Sequence, residues 1–278
     1  MPAARRPLIL IAFATLVALA TAGPAGAQQQ PTATPRPDKP EFLPRFDFHL
    51  TIDRLMRSQT PQQKLADRRF SWDSHYGGSF DLVDYVGGRA TVTADYQAVL
   101  GNEFRPFDPN QANYILEASL SGRASDQTEI AAIFHHVSRH ISDRPKTFAV
   151  AWNLLGGRYM HHAGRGATTF DVTLDGGRVV QRSFVDYAWL AGAQFQARHA
   201  LTAHAGVFLH TEGQLFMVDK SEIGRSRQAG GRVEAGFRLN GRGGVMELFA
   251  GYERRPDAHP LERLSQRWAL VGLRLLSR

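Results

Sequence analysis

The sequence predicts an all-β protein, specifically a closed antiparallel up-and-down transmembrane β-barrel with twelve strands, or with ten strands as the second choice. Three observations support this prediction. Apolar and polar residues alternate along one strand-length segment after another, residues typical of turns separate these segments, and the mean hydropathy is slightly negative. A negative mean disfavours membrane-spanning helices, but it suits a barrel, because only every second residue of a barrel strand contacts lipid.

The alternation is clearest between Ala90 and Leu100. Successive side chains of a strand point to opposite faces of the sheet, so Val92, Ala94 and Tyr96 would share an apolar face. The other strands are expected over residues 46–52, 79–86, 112–123, 127–141, 147–161, 169–174, 185–197, 201–209, 232–239, 246–252 and 269–275. Asp175-Gly176-Gly177 is typical of a tight turn and is expected to end the seventh strand.

Residues 1–27 are predicted to be a cleaved signal peptide. A basic start is followed by a short apolar run, and Ala25-Gly26-Ala27 has the small residues of a cleavage site. A retained membrane anchor is the alternative. Residues 28–45 are predicted to be a proline-rich linker, and residues 46–278 form the predicted barrel. Export to the bacterial outer membrane is therefore expected, and the absence of cysteine excludes a disulfide framework.

The loops are expected to differ in length at the two ends of the barrel. Short turns near 87–89, 124–126, 163–166, 199–200 and 240–243 would face the periplasm, and longer segments near 101–111, 213–226 and 255–265 would face outward. The alternative is a soluble β-sandwich or lipocalin-like barrel, in which the apolar faces would pack inward. The chain ends Leu275-Leu276-Ser277-Arg278, without the terminal aromatic residue that is common in outer-membrane barrels.

The charges are expected to meet lipid and one another. The formal net charge of +7 suggests rim contacts with lipid phosphates, so outer-membrane lipids are the predicted partners and nucleic acid is not. A homodimer is left open. Charges of both signs on the polar faces should pair across a narrow lumen and prevent a wide pore. The residues expected to do so are Asp95, Glu117, Arg123, Arg232, Glu234, Arg238, Glu247 and Arg274.

One segment carries a candidate for chemistry. Ile130, Ala132 and Phe134 share a strand face that continues as His136, Ser138 and His140 toward the loop at Pro145. Polar groups on a lipid-facing surface cost free energy and need a reason. Ser138 could be a nucleophile with His136 as its base, and Asn153 on the next strand, expected roughly opposite Ser138, could orient the imidazole.

His136-Val137-Ser138 followed by Trp152-Asn153 resembles outer-membrane phospholipase A, a twelve-stranded barrel with a lipid-facing Ser-His-Asn triad. The resemblance implies Ser138 as nucleophile, His136 as base and Asn153 as orienter. It also implies acyl esters of outer-leaflet lipid as substrate and calcium at the adjoining loop. Lipid A deacylases share the His-x-Ser pair, but they orient the histidine with a glutamate, and the next strand here offers no suitable one.

The same segment also resembles a family of uncharacterised bacterial outer-membrane proteins with the signature His-x-Ser-Ser-His-x-x-Asp. Here His136, Ser138, His140 and Asp143 match, and Arg139 replaces the second serine. This resemblance implies no known activity, and the leading interpretation is a non-enzymatic envelope barrel whose polar residues lie at the rim. The hydrolase is the alternative. A metal site that includes His140 and Asp143 is a third, although His135 and His136 should face opposite sides.

Overall fold

The protein is a closed β-barrel of twelve antiparallel strands in the computed structural model, which describes residues 33–34, 36–56, 68–142, 148–219 and 225–277. Each strand pairs with its sequence neighbours, and β1 pairs with β12 to close the sheet. The strands are β1 (Glu41–Met56), β2 (Trp72–Asp84), β3 (Arg89–Gly101), β4 (Asp108–Arg123), β5 (Thr128–Ile141), β6 (Val150–Arg165), β7 (Thr168–Ser183), β8 (Tyr187–Ala200), β9 (Ala205–Val218), β10 (Gln228–Asn240), β11 (Val245–Arg255) and β12 (Gln266–Leu276).

The predicted fold class and the first choice of twelve strands are confirmed. Among the described residues, no helix is long and apolar enough to cross a membrane. The predicted signal peptide, residues 1–27, lies outside the described residues, as do residues 28–32 and 35 of the predicted linker. The first strand begins at Glu41, inside that predicted linker, and its register shifts between Phe42 and Arg45, where Pro44 has no N–H to donate.

The predicted turn at Asp175-Gly176-Gly177 is wrong, because these residues lie inside β7 and pair with strands on both sides. The glycines allow the backbones of β6 and β7 to approach each other closely, and they do not form a turn. A Cβ on Gly156 of β6 would overlap the carbonyl oxygen of Gly176, and a Cβ on Gly177 would overlap the carbonyl oxygen of Leu155. Glycine in a strand marks a site where another backbone comes near.

Two further boundaries differ from the prediction. Residues 201–204 form the turn between β8 and β9, so Leu201 and Ala203 do not belong to a strand. The hydroxyl of Thr202 accepts hydrogen bonds from the backbone N–H groups of His204 and Ala205, which stabilises this turn. Strand β2 begins at Trp72, within a stretch for which the sequence predicted no strand.

The two ends of the barrel differ in loop length as predicted. Turns of two to four residues follow β2, β4, β6, β8 and β10, at residues 85–88, 124–127, 166–167, 201–204 and 241–244. The opposite end carries most of the longer connections, among them 219–227 and 256–265. We call the end with the short turns the inner end and the other the outer end. This asymmetry is typical of transmembrane barrels.

The apolar side chains point away from the lumen. On successive strands Leu120, Ile130 and Leu155 are 59%, 55% and 52% exposed on the outer wall, whereas charged neighbours such as Glu117 and Arg158 are buried inside. A sandwich or lipocalin-like barrel would bury the apolar rows, so that alternative is excluded. An apolar exterior around a polar interior is the arrangement of a barrel that crosses a bilayer.

The interior is filled by ion pairs. Arg232 is fully buried and donates to Asp53 (2.7 Å), Glu234 and Glu253 (3.3 Å). Arg274 joins this group by binding Glu234 at 2.6 Å. Eight charged residues were predicted to lie in the lumen. Seven of them contact an oppositely charged side chain, and the eighth, Asp95, contacts His49 and His75. Paired charges in the interior therefore occupy the space of a channel.

The connection between β11 and β12 folds into the outer mouth of the barrel. Residues 255–260 are all buried. The carboxylate of Asp257 accepts a hydrogen bond from the Tyr187 hydroxyl (2.7 Å) and two from Arg225 (3.0 and 2.8 Å). The backbone oxygen of Ala258 accepts hydrogen bonds from Gln111 and Arg139. We call this loop the mouth loop.

Candidate functional site

A polar patch interrupts the apolar outer wall near the outer ends of β5, β6 and β7. His136 and Ser138 are half-buried and His140 is exposed, and all three point outward from β5 in line with the apolar side chains of Ile130 and Phe134. The change from apolar to polar along one strand face matches the sequence prediction. The patch lies on the lipid-facing side of the wall, outside the lumen.

The strand register brings His136 and Asn153 together. In the ladder between β5 and β6, His136 lies opposite Asn153 and Ser138 lies opposite Ala151. The expectation that Ser138 would face Asn153 is therefore wrong by two residues. The reason is the register of the hairpin: its pairs, such as Arg139 with Val150, are centred between residues 144 and 145, whereas pairing of Ser138 with Asn153 would need a centre between residues 145 and 146.

A chain of hydrogen bonds fixes the imidazole of His136. Asn153 Nδ2 donates to Gln181 Oε1 at 2.8 Å, so Asn153 Oδ1 is the atom that faces His136. The distance between Asn153 Oδ1 and His136 Nδ1 is 2.6 Å. Because an amide oxygen only accepts, His136 must donate from Nδ1. In the neutral ring the lone pair is therefore on Nε2, which is the form that a general base requires.

Ser138 contacts a different histidine. Its Oγ lies 3.2 Å from Nε2 of His140, two residues further along the same strand face. Ser138 is thus flanked by histidines on both sides along β5, and in this structure the hydroxyl hydrogen bond is made to His140. A rotation about the Cα–Cβ bond of Ser138 would turn Oγ toward His136, since side chains two apart share a face.

Aromatic and aliphatic side chains surround the patch. The ring of Tyr114 lies edge-on to His140 at 5.3 Å, and Tyr114 also sits directly opposite Ser138 in the sheet. Leu116, on the same strand as Tyr114, lies opposite His136. Phe148 and Phe184 stack at 4.2 Å at the outer ends of the neighbouring connections. The patch is therefore a polar island within an amphipathic surface of the kind found at membrane interfaces.

Gln181 is a site residue that sequence reasoning missed. The register between β6 and β7 shifts at Asn153/Leu154, and on β7 the extra residue is Val180. This β-bulge turns Gln181 outward beside Asn153, and bulges commonly re-aim a side chain in this way. The prediction missed Gln181 because the seventh strand was expected to end at residue 174.

The metal hypothesis finds no support in the part of the chain that the structure describes. His135 points into the lumen and its Nδ1 lies 3.1 Å from Glu117, whereas His136 points outward, so the two cannot share an ion. No group of three His, Cys, Asp or Glu residues in the described ranges is placed to hold a metal. Asp143, the other predicted ligand, lies outside the described residues, as does the part of the adjoining loop where calcium was expected.

A scan against protein-family models finds no match, and a search of curated proteins finds none either. Among solved structures, LpxR from Salmonella typhimurium superposes with a TM-score of 0.47 at 8% identity, over 83% of this chain and 99% of that chain.

Two other barrels superpose over a similar share of the chain. For the translocator domain of autotransporter NalP from Neisseria meningitidis, the TM-score is 0.38 at 11% identity, over 84% of this chain and 87% of that chain. For CdiB from Acinetobacter baumannii, the TM-score is 0.38 at 12% identity, over 84% and 60%. At such low identity the similarity is one of barrel architecture.

Proposed function

We propose that this protein is a bacterial outer-membrane β-barrel with a closed lumen, and that its outer wall carries a hydrolase site for acyl esters of outer-leaflet lipid. In this site Ser138 is the nucleophile, His136 is the general base and Asn153 orients the base. The membrane location is supported by the apolar exterior and by the different loop lengths at the two ends.

The observation that carries the hydrolase proposal is the hydrogen-bond chain from Gln181 through Asn153 to His136. A histidine that merely lies at a rim needs no fixed tautomer. Here two amide side chains on two neighbouring strands hold Nδ1 as the donor and leave Nε2 as the acceptor, two residues from a serine on the same face. Nucleophile, base and orienting group are the parts of a triad, which is recognised by geometry and roles.

The reaction follows from these positions. Ser138 Oγ turns from His140 toward His136 and bonds to the ester carbonyl carbon, while its proton passes to Nε2 of His136. Collapse of the tetrahedral intermediate breaks the ester C–O bond, and His136 returns the proton to the leaving alcohol. Water then attacks the acyl-enzyme with the same base, which releases the fatty acid and restores Ser138.

The position of the patch suits a lipid substrate. The three residues face outward beside Leu116 and Leu155, both of which are about half exposed on the wall. An acyl chain lying along this wall would keep its ester near the polar island, so the substrate needs no entry into the lumen. Holding the ester and nucleophile together in this way removes much of the entropic part of the barrier.

A second candidate function rests on one specific observation. Ser138 makes its hydrogen bond to His140 rather than to His136. A non-enzymatic barrel could use His136, Ser138 and His140 to bind lipid phosphate at headgroup level, and the amides of Asn153 and Gln181 would then only satisfy each other and His136. This function predicts binding of lipid without turnover.

One experiment separates the two functions. The full chain, purified in detergent, is incubated with phospholipid and with lipid A in mixed micelles, in parallel with calcium and with EDTA, and released fatty acid is measured. Ser138→Ala should abolish release, and Asn153→Ala should lower it by about a hundredfold. Ser74→Ala is the matched control, because Ser74 also faces outward on β2 but lies away from the patch, and it should retain full activity.

The contrary result is equally clear. Absence of fatty-acid release in every arm, or release that Ser138→Ala leaves unchanged, would reject the hydrolase and favour the lipid-binding function. The closed lumen is tested separately by single-channel recording in planar bilayers. Conductance comparable to that of a general porin would contradict it.

A further inference from the structure

The lumen contains a cavity that differs from the rest of the interior. It lies between the inner faces of β3–β9 and the mouth loop and has a volume of about 130 Å³. One side of it is apolar, unlike the ion-paired region around Arg232. The side chains that form this apolar side include Ile115, Val137, Trp152, Leu190 and Phe216. These apolar side chains take no part in the ion pairs that fill the rest of the interior.

The polar atoms at this cavity are incompletely paired. The indole Nε1 of Trp152, the Nε of Arg158 and the Oδ1 of Asn113 are buried, and none has a hydrogen-bond partner among the described residues. The three side chains are only 8%, 3% and 3% exposed. Buried polar groups are normally hydrogen-bonded, and leaving one unpaired costs about 1–3 kcal/mol.

The charged side chains that line the cavity include Arg139, which donates hydrogen bonds to Gln111 and to the backbone oxygens of Asp257 and Ala258. Arg158 binds Glu117 through both terminal nitrogens at 2.5 and 2.7 Å, which leaves only its Nε unpaired. Arg255 binds Asp73 and Glu253, and Asp257 binds Arg225. Since Arg139, Arg158, Arg255 and Asp257 already have hydrogen-bond partners, the unpaired atoms suit an uncharged ligand with a hydroxyl or carbonyl oxygen.

We infer that this cavity is a binding site for a small uncharged molecule that combines an apolar ring or short chain with one hydroxyl or carbonyl oxygen. The apolar part would lie against Trp152 and Phe216, and the oxygen would accept a hydrogen bond from the indole N–H. The size agrees, because an apolar cavity of about 150 Å³ in another protein holds benzene. This site is independent of the proposed hydrolase, which lies on the opposite face of the same strands.

Phenol is the test probe, because it has a ring of the right size and one hydroxyl group. The full chain labelled with ¹⁵N at tryptophan is titrated with phenol in detergent, and the indole N–H signals are followed by NMR. One indole signal should shift downfield and saturate, and it should be the signal that is missing in Trp152→Phe. This variant keeps a ring but removes the donor, so phenol should bind about fivefold to tenfold more weakly to it.

A pair of neighbouring variants controls for phenol dissolved in the micelle. Ile115→Phe adds a ring inside the cavity and should abolish the saturable shift, whereas Leu116→Phe adds a ring on the lipid-facing side and should leave the shift unchanged. Non-saturable shifts in the wild type, or equal shifts in both variants, would overturn the inference and leave a cavity filled by water only. If Ile115→Phe does not fold, the comparison of the wild type with Trp152→Phe decides by the same criteria.

Discussion

Replacing Arg232 with Met is expected to destabilise the barrel strongly, and the structure indicates by how much. Arg232 is fully buried and binds Asp53, Glu234 and Glu253. Loss of the guanidinium does not leave all three carboxylates without an arginine partner. Glu234 keeps Arg274 at 2.6 Å. Glu253 similarly keeps Arg255.

Asp53 is the group that loses its partner. Its Oδ2 accepts from Arg232 at 2.7 Å, and its Oδ1 has no partner among the described residues. Removing one member of a buried ion pair leaves an uncompensated charge, and the measured cost is about 3–5 kcal/mol. Arg232→Met should therefore lower the free energy of unfolding by that amount, measured by urea titration in detergent with tryptophan fluorescence as the readout.

The double variant tests whether Asp53 is the cause. Adding Asp53→Asn to Arg232→Met removes the orphaned charge and should recover about 2 kcal/mol, which is within the range of coupling energies between residues in contact. Arg267→Met is the control, because Arg267 is exposed on the outer wall of β12. A loss below about 1 kcal/mol for Arg232→Met, or no recovery in the double variant, would refute the reasoning, since the pair would then be worth no more than an exposed one.

Three further predictions follow from other parts of the molecule. Gly156→Ala should destabilise the barrel by about 1–3 kcal/mol through overlap with the Gly176 carbonyl, whereas Gly157→Ala, with its nearest neighbour 3.6 Å away, should cost less; equal unfolding midpoints would contradict this. Val233→Arg, on the outer wall near the middle of β10, should cost about 2–4 kcal/mol in lipid vesicles, and a neutral result would argue against lipid contact there. Burial alone would raise the pKa of Glu262. The hydrogen bonds that Arg69 donates to this carboxylate, together with the positive charge of Arg69, outweigh burial and lower the pKa below 4.5. The Arg69–Glu262 contact should therefore hold at neutral pH and loosen as the pH falls through the lowered pKa of Glu262. Protection factors of the loop amides, corrected for the intrinsic pH dependence of exchange and followed from pH 7 downward, would show this; protection that is unchanged after Glu262 has taken up its proton would contradict it.

The barrel itself was predictable because the two faces of its wall meet different environments. Lipid outside and a polar interior impose strict alternation on every strand, and that pattern is visible in the sequence without knowledge of any contact. The ion pairs inside the barrel follow from the same alternation. The pattern fails where a strand lacks side chains, as at Gly176 and Gly177, because glycine in a bending strand and glycine in a turn look identical in sequence.

The residues of the candidate site could be predicted from the sequence, but which of them contact one another could not. Parity placed His136, Ser138 and Asn153 on one face, and the structure agrees. Which of them touch depends on a register that the hairpin length sets, and a shift of two residues exchanged Asn153's partner. Gln181 required knowledge of a bulge, and bulges leave no reliable trace in a single sequence.

The lumen cavity and the mouth loop were beyond sequence reasoning for a different reason. Trp152 and Phe216 are lumen-facing apolar residues, so they break the alternation that predicted everything else. The mouth loop is held by hydrogen bonds from Gln111, Arg139 and Tyr187, which are far apart in sequence. Such contacts between distant residues become visible only when the sheet is closed.

The junction of the first and last strands is shorter than the strands that form it. Of the residues of β1, only those from His49 to Met56 pair with β12, and the hydrogen bonds between Phe48 and Ser277 end that ladder. The initial stretch from Glu41 is hydrogen-bonded to β2 alone. With eight residue pairs, the contact between β1 and β12 is the shortest of the twelve strand pairings in the described residues, so this junction is expected to open first when the barrel unfolds.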